Sequence, residues 1–249
     1  MSDTTTTSKN WFVKHKVLSV IAALVVIGII ISAATMKSPK TNVSNTAGTT
    51  TAKTSPKSTT ATTTSKTSTP QRQVKGTAVT LGAGTFTGGK DVAVGLYDVT
   101  AGAGQTGNFI VDASDGTNTY NEVLGAASDG NVTKIRTQIN SGDQIQLSGI
   151  SSVTFTPVTA AFVTSKATTD LYAGTFIVGQ DIGAGRYVVT PASGESGNFI
   201  VDSSDGTNTY NEVLGAASDG DVPSVTATLN TGDEITLSGI DQVIFTPTN

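Results

Sequence analysis

A gapless repeat at an offset of 90 residues constrains this chain more than any other feature. Leu81 to Val158 reappears as Leu171 to Thr248, with about six positions in ten identical. Self-similarity at a fixed period is the signature of tandem structural units. Gly107–Gly130 returns at Gly197–Gly220 with one change, Ala113 to Ser203. Two copies of one module in a single chain show which positions tolerate change.

Within each copy, apolar stretches recur every ten to twelve residues or so and are separated by Gly, Asp and Ser turns, the spacing of a β-sandwich or barrel. In the first copy they centre on Thr85–Thr87, Leu96–Thr100, Asn108–Asp112, Tyr120–Leu124, Thr133–Ile139, Gln144–Leu147 and Val153–Thr156. No stretch of the repeats has a helical period. Between copies, Ile135 and Ile139 become Val225 and Leu229, while Lys134, Arg136 and Gln138 become Ser224, Thr226 and Thr228. Tolerance alternates with period two, as in strands with one packed and one solvated face. The expected core is Phe86, Tyr97, Val99, Phe109, Val111, Val123, Ile135, Ile139, Ile145, Leu147, Val153 and Phe155, with the matching positions of the second copy. The fold class is all-β: two small tandem antiparallel sandwiches, jelly-roll-like, preceded by a transmembrane helix and a disordered linker.

The N-terminal third reads differently. Residues 1–16 form a basic head with Lys9, Lys14 and Lys16, and residues 17–35 are apolar and uncharged. About 18 residues at roughly 1.5 Å each just cross a hydrocarbon core. A short basic head before a first apolar segment predicts a signal-anchor, with the N-terminus cytoplasmic and the repeats outside. The alternative is cleavage near Ala34 and secretion, since Ser32-Ala33-Ala34 supplies the small residues a signal peptidase requires. Residues 36–78 are a Thr/Ser/Lys-rich stalk with almost no apolar side chains, expected to be disordered. Repeat one then spans 79–158, a linker 159–170 and repeat two 171–249.

Charge is distributed unevenly. The stalk carries only basic residues, repeat one has Lys90, Lys134 and Arg136 against seven carboxylates, and repeat two has Arg186 against ten. An acidic head argues against nucleic acid as a partner. The chain has no cysteine, and its single histidine, His15, precedes the repeats. Ser–His and Cys–His catalysis is therefore excluded in the head. Only carboxylates remain for hydrolysis, and no catalytic residue, metal ligand or cofactor is assigned. The Asp112–Asn118 loop fails the spacing of an EF-hand calcium site.

The near-invariant block is the functional lead. Its polar positions match between copies where water-facing positions elsewhere drift. A polar binding surface used twice would be built from Asp115, Asn118, Tyr120, Asn121 and Glu122, and from Asp205, Asn208, Tyr210, Asn211 and Glu212. Exposed loops on rigid β scaffolds commonly carry recognition. The competing explanations are recent duplication and loops whose side chains satisfy their own backbone.

Gly84-Thr85-Phe86, Gly89, Asp91, Gly95, Tyr97 and Val99 form G-T-F-x-x-G-x-D-x-x-x-G-x-Y-x-V, and the second copy carries it as Gly174 to Val189. This resembles a motif of membrane-anchored extracellular proteins of Gram-positive bacteria, built as anchor, Thr/Ser-rich linker and β repeats. The segment Lys9 to Leu18 is similar to theirs as well. The resemblance implies location and fold; most of those proteins have no assigned activity. The expected function is a membrane-anchored, non-enzymatic binding or interaction protein of the cell envelope, with a wall polysaccharide or a surface protein as ligand. Alternatives are a surface spacer or shield without a ligand, and a carboxylate-dependent wall-glycan hydrolase.

Overall fold

The computed structural model describes residues 76–116, 120–158, 162–206 and 209–249. The expected head, membrane span and nearly all of the stalk lie outside these residues. Among the described residues no helix is long and apolar enough to cross a membrane.

Both repeats are all-β. Repeat one contains β1 (Val79–Leu81), β2 (Gly84–Thr87), β3 (Gly95–Ala101), β4 (Gly107–Asp112), β5 (Tyr120–Leu124), β6 (Lys134–Ile139), β7 (Gln144–Ser148) and β8 (Val153–Pro157). Repeat two contains β9 (Thr169–Leu171), β10 (Gly174–Ile177), β11 (Gly185–Pro191), β12 (Gly197–Asp202), β13 (Tyr210–Leu214), β14 (Val225–Leu229), β15 (Glu234–Ser238) and β16 (Val243–Pro247). All seven expected strand regions form. The short β1, pairing antiparallel with β8, is an addition.

Each repeat is two four-stranded antiparallel sheets. In repeat one the orders are β1-β8-β3-β6 and β2-β7-β4-β5; in repeat two they are β9-β16-β11-β14 and β10-β15-β12-β13. The inner faces close on one core per repeat. In repeat one Phe155 of the first sheet meets Tyr97 edge-on, at 5.9 Å between ring centres, and Phe109 of the second sheet at 6.0 Å. Phe245 takes the same place in repeat two, against Tyr187 and Phe199. Most of the expected core is buried, but Val123 and Val213 are exposed and Phe86 is only half-buried. The β5 pleat turns Tyr120, Glu122 and Leu124 inward and Val123 outward. The expectation of an inward Val123 is therefore overturned, because the inner face of this edge strand is not uniformly apolar.

The conserved motif is an instruction for folding. Gly89 and Gly179 hold φ of 80° and 85°, a left-handed turn suited to glycine. The Asp91 and Asp181 carboxylates accept the Thr87 and Ile177 N–H, both at 2.8 Å. The Tyr97 and Tyr187 hydroxyls donate to the Ala93 and Gly183 carbonyls at 2.7 Å. Each motif thus ties a strand–turn–strand corner to the core tyrosine that follows it.

The two sandwiches join through one strand pair. Edge strand β6 of repeat one meets edge strand β10 of repeat two in parallel, Arg136 opposite Gly174, which makes one continuous eight-stranded sheet. The Arg136 N–H donates to the Ala173 carbonyl at 2.9 Å. Ala173 is fully buried and belongs to the core of repeat one. A Cβ on Gly174 would lie 2.2 Å from the Arg136 carbonyl oxygen, whereas a Cβ on Gly84 would meet only the Phe86 ring, at 3.2 Å. Both glycines have positive φ, so substituting either strains the backbone. Gly174→Ala is expected to destabilise the protein by roughly 1–3 kcal/mol more than Gly84→Ala, the cost of overpacking the junction. Chemical denaturation of the two variants checks this.

Candidate functional site

The junction is built around Lys134, Arg136 and Asp98, side chains whose counterparts in repeat two are uncharged. Strand pairing sets Arg136 of β6 opposite Asp98 of β3. The guanidinium donates from Nε and Nη2 to the two Asp98 oxygens, at 2.9 and 3.1 Å, and from Nη1 to Asp181 of repeat two at 2.8 Å. The Arg136 and Asp181 side chains are only 12% and 4% exposed. Tyr172 donates its hydroxyl to Asp98 at 2.6 Å, and its ring lies under the Lys134 ammonium, 3.6 Å from the ring centre. Arg136 also stacks near Tyr172 and Phe176, at 5.4 and 5.1 Å. The Asp241 carboxylate accepts the Thr133 N–H at 2.8 Å. In bidentate geometry, with a third donor on a second carboxylate, a buried arginine repays much of its desolvation.

The equivalent positions lack this chemistry. Lys134 and Arg136 correspond to Ser224 and Thr226, Asp98 to Val188, Tyr172 to Gly82 and Asp241 to Ser151. The alternation along β6 therefore does not mean that its variable face meets water. In repeat one that face meets repeat two, and the copies differ there because only one of them has a neighbour.

The near-invariant block adjoins the same junction. In repeat one the Tyr120 side chain is buried and its hydroxyl bonds Thr175 Oγ1 of repeat two. Burial, opposed by that hydrogen bond, pushes this hydroxyl up to about 12, so it stays protonated. The Glu122 carboxylate, 7% exposed, accepts the Gly239 N–H at 3.0 Å. Burial pushes Glu122 up to about 7, and the Gly239 N–H pulls less strongly downward. The expectation of an exposed polar surface is therefore corrected for Tyr120 and Glu122, because the second sandwich covers them. Among the described residues, no second sandwich covers the same positions in repeat two. Glu212 and Asn211 are exposed, while Tyr210 is half-buried, stacks near Phe199 and accepts the Thr228 N–H at 3.1 Å. Asn121 is half-buried, and Asp115 and Asp205 sit on exposed turns. Asn118 and Asn208 lie outside the described residues. The ten candidates thus form two unlike surfaces, not one surface twice.

Part of the invariance has a structural cause. Asp143 and Asp233 are fully buried. Asp143 accepts the Ser114 N–H at 3.0 Å and the Asn140 N–H at 2.7 Å, and Asp233 does the same for Ser204 and Asn230 at 3.1 and 2.7 Å. This brace fixes where the block begins. Sequence reasoning overlooked both aspartates, although a Gly-Asp pair recurring at 142–143 and 232–233 was the available signal. Among the described residues no cluster of three or more His, Asp or Glu side chains is arranged to hold a metal.

No family model, curated protein or solved structure matches the chain.

Two predictions follow from the junction. A carboxyl whose value is higher in the folded than in the unfolded state favours folding when protonated. Glu122 therefore contributes stability that is complete below its unfolded value of about 4.3 and lost as pH rises through about 7, on the order of 3 kcal/mol. Glu122→Gln is expected to remove this component, read as the difference between variant and parent in unfolding free energy at about pH 5 and about pH 8. Arg136→Thr removes the guanidinium that Asp98 and Asp181 share and is expected to cost roughly 2–3 kcal/mol. Adding Asp98→Val, the residue found in repeat two, restores part of that loss in the same assay.

Proposed function

We propose that this is a non-enzymatic interaction protein of a cell envelope, anchored through residues 17–35, whose two sandwiches act as one rigid head that recognises protein. The observation carrying this reading is what the near-invariant block does where it is engaged. In repeat one, Tyr120 and Glu122 grip the edge of another β-sandwich, bonding a side-chain hydroxyl and a backbone N–H. The same residues in repeat two, Tyr210 and Glu212, lie on an open side of the head. A surface that binds a folded β edge in one copy is chemically suited to bind another through its duplicate. This favours a surface protein over a wall polysaccharide as ligand.

The strand order of each sandwich, 1-8-3-6 facing 2-7-4-5, corresponds to the double Greek key of a jelly roll. That fold hosts both lectin and capsid domains, so by itself it assigns no activity. The non-enzymatic reading draws on the chemistry present: the repeats contain neither histidine nor cysteine, and Glu122, one of the carboxylates left for hydrolysis, is buried against repeat two. The spacer reading draws on the locked junction, which favours a fixed length over a recognition surface. The resemblance to Gram-positive surface proteins supports reading the head as extracellular.

Residues 70–249 form a compact unit and can be tested for co-sedimentation with isolated envelopes. Combined Tyr210→Ala, Asn211→Ala and Glu212→Ala substitutions are expected to abolish saturable binding while the fold survives. Saturable binding unchanged by those substitutions, or none in the parent, would leave the spacer as the better reading.

A further inference from the structure

We propose that the open β1/β2 side of repeat one is a docking surface for the open β13/β14 side of repeat two in a second copy of this chain, so that molecules associate head to tail. The proposal rests on reading the near-invariant block as a protein-recognition surface.

The intramolecular junction supplies the geometry. It joins the β5/β6 side of repeat one to the β9/β10 side of repeat two. Because the repeats share one fold and the contact is not two-fold symmetric, each junction leaves one unused partner surface at either end of the pair. Edge strands β2 and β14 are those unused partners. Burial traces the same outline. Ala173 and Gly174 are buried while Ala83 and Gly84 are exposed, and Gly239 is half-buried while Gly149 is exposed.

Several contacting groups are retained on the open surfaces. Tyr120 and Thr175 correspond to Tyr210 and Thr85, and Glu122 and Gly239 to Glu212 and Gly149. Gly149 and Gly239 hold nearly the same φ, 72° and 69°, so both N–H groups sit in the same local backbone conformation. Tyr210 accepts from Thr228, which leaves its own proton free to donate to Thr85 Oγ1. An open pocket lies at this place in repeat one, lined by Ala83, Gln105, Thr106, Gly149, Ile150 and Ser151. Ala83, Gly149 and Ser151 are the counterparts of Ala173, Gly239 and Asp241, which touch repeat one across the junction.

The open surfaces lack Arg136, Asp98 and Tyr172, having Thr226, Val188 and Gly82 instead. Pro223 replaces Thr133 and removes one backbone donor. Contact between chains therefore keeps the polar grip and loses the ionic lock, so it is reversible where the internal junction is permanent.

The absence of cysteine allows a direct test on the full chain. Two single variants, Thr85→Cys and Thr226→Cys, carry different tags, are mixed, and are treated with a short bis-maleimide. The expected product is a dimer bearing both tags, absent from either variant alone and lost when Glu212→Lys is added to the Thr226→Cys chain. No mixed dimer above the single-variant controls overturns the proposal. So does a dimer insensitive to Glu212→Lys, or one formed equally well by Thr85→Cys alone. Envelope binding that is lost on substituting Tyr210, Asn211 and Glu212, without any crosslinked dimer, refutes self-association and leaves the broader reading standing.

Discussion

The Arg136 guanidinium bonds a carboxylate of its own sandwich on one side and a carboxylate of the next on the other. The rest of the head depends on this contact. It holds β6 beside β10, places Ala173 in a core that is not its own, and brings Gly239 over Glu122. Without it, the side of repeat one between β5 and β6 would stand open, as the matching side of repeat two does. A buried arginine is a poor way to gain free energy from water, yet a good way to specify one neighbour. The geometry fits the second use, since of the two equivalent edges, β6 and β14, only β6 carries the arginine.

Much of the fold was legible because half-buried antiparallel strands write themselves with period two. The copies sharpened that signal, and strands such as β6, β7 and β8 emerged with their inward residues correct. Val123 shows where the rule weakens. On an edge strand the inner face need not be apolar, so Tyr120 and Glu122 point inward and valine points out. Glu122 shows a second limit. Nothing local distinguishes it from Glu212, yet one is buried and the other exposed. Their difference is made by the turn at Gly239, 117 residues away in sequence, beyond the reach of any pattern within the repeat. Asp143 and Asp233 were missed because an aspartate after a turn glycine resembles ordinary turn chemistry, and only the fold shows both oxygens committed to backbone N–H groups of two separate loops.

Duplication also changes what sequence identity and difference mean. Differences at Lys134 and Arg136 have the period of a solvated strand face, but these side chains make specific contacts across the junction. Identity at Tyr120 and Glu122 looked like a shared exposed site, but the two copies occupy different environments. Conserved character within a tandem pair reports the ancestral module, while divergence reports position within the pair.

The Asp98–Arg136 pair has a consequence for how such a chain finds its structure. Adjacent domains of high similarity are prone to exchange strands while folding. Here β3 and β6 match as aspartate with arginine, and β11 and β14 match as valine with threonine, each pair directly opposed in register. A β6 strand that paired with β11 would set Arg136 against Val188, and a β14 strand on β3 would leave Asp98 facing Thr226. Each mistaken pairing strands a charge, so a single cross-strand pair works as a sorting label that tells two nearly interchangeable halves of the chain apart before either has closed its core.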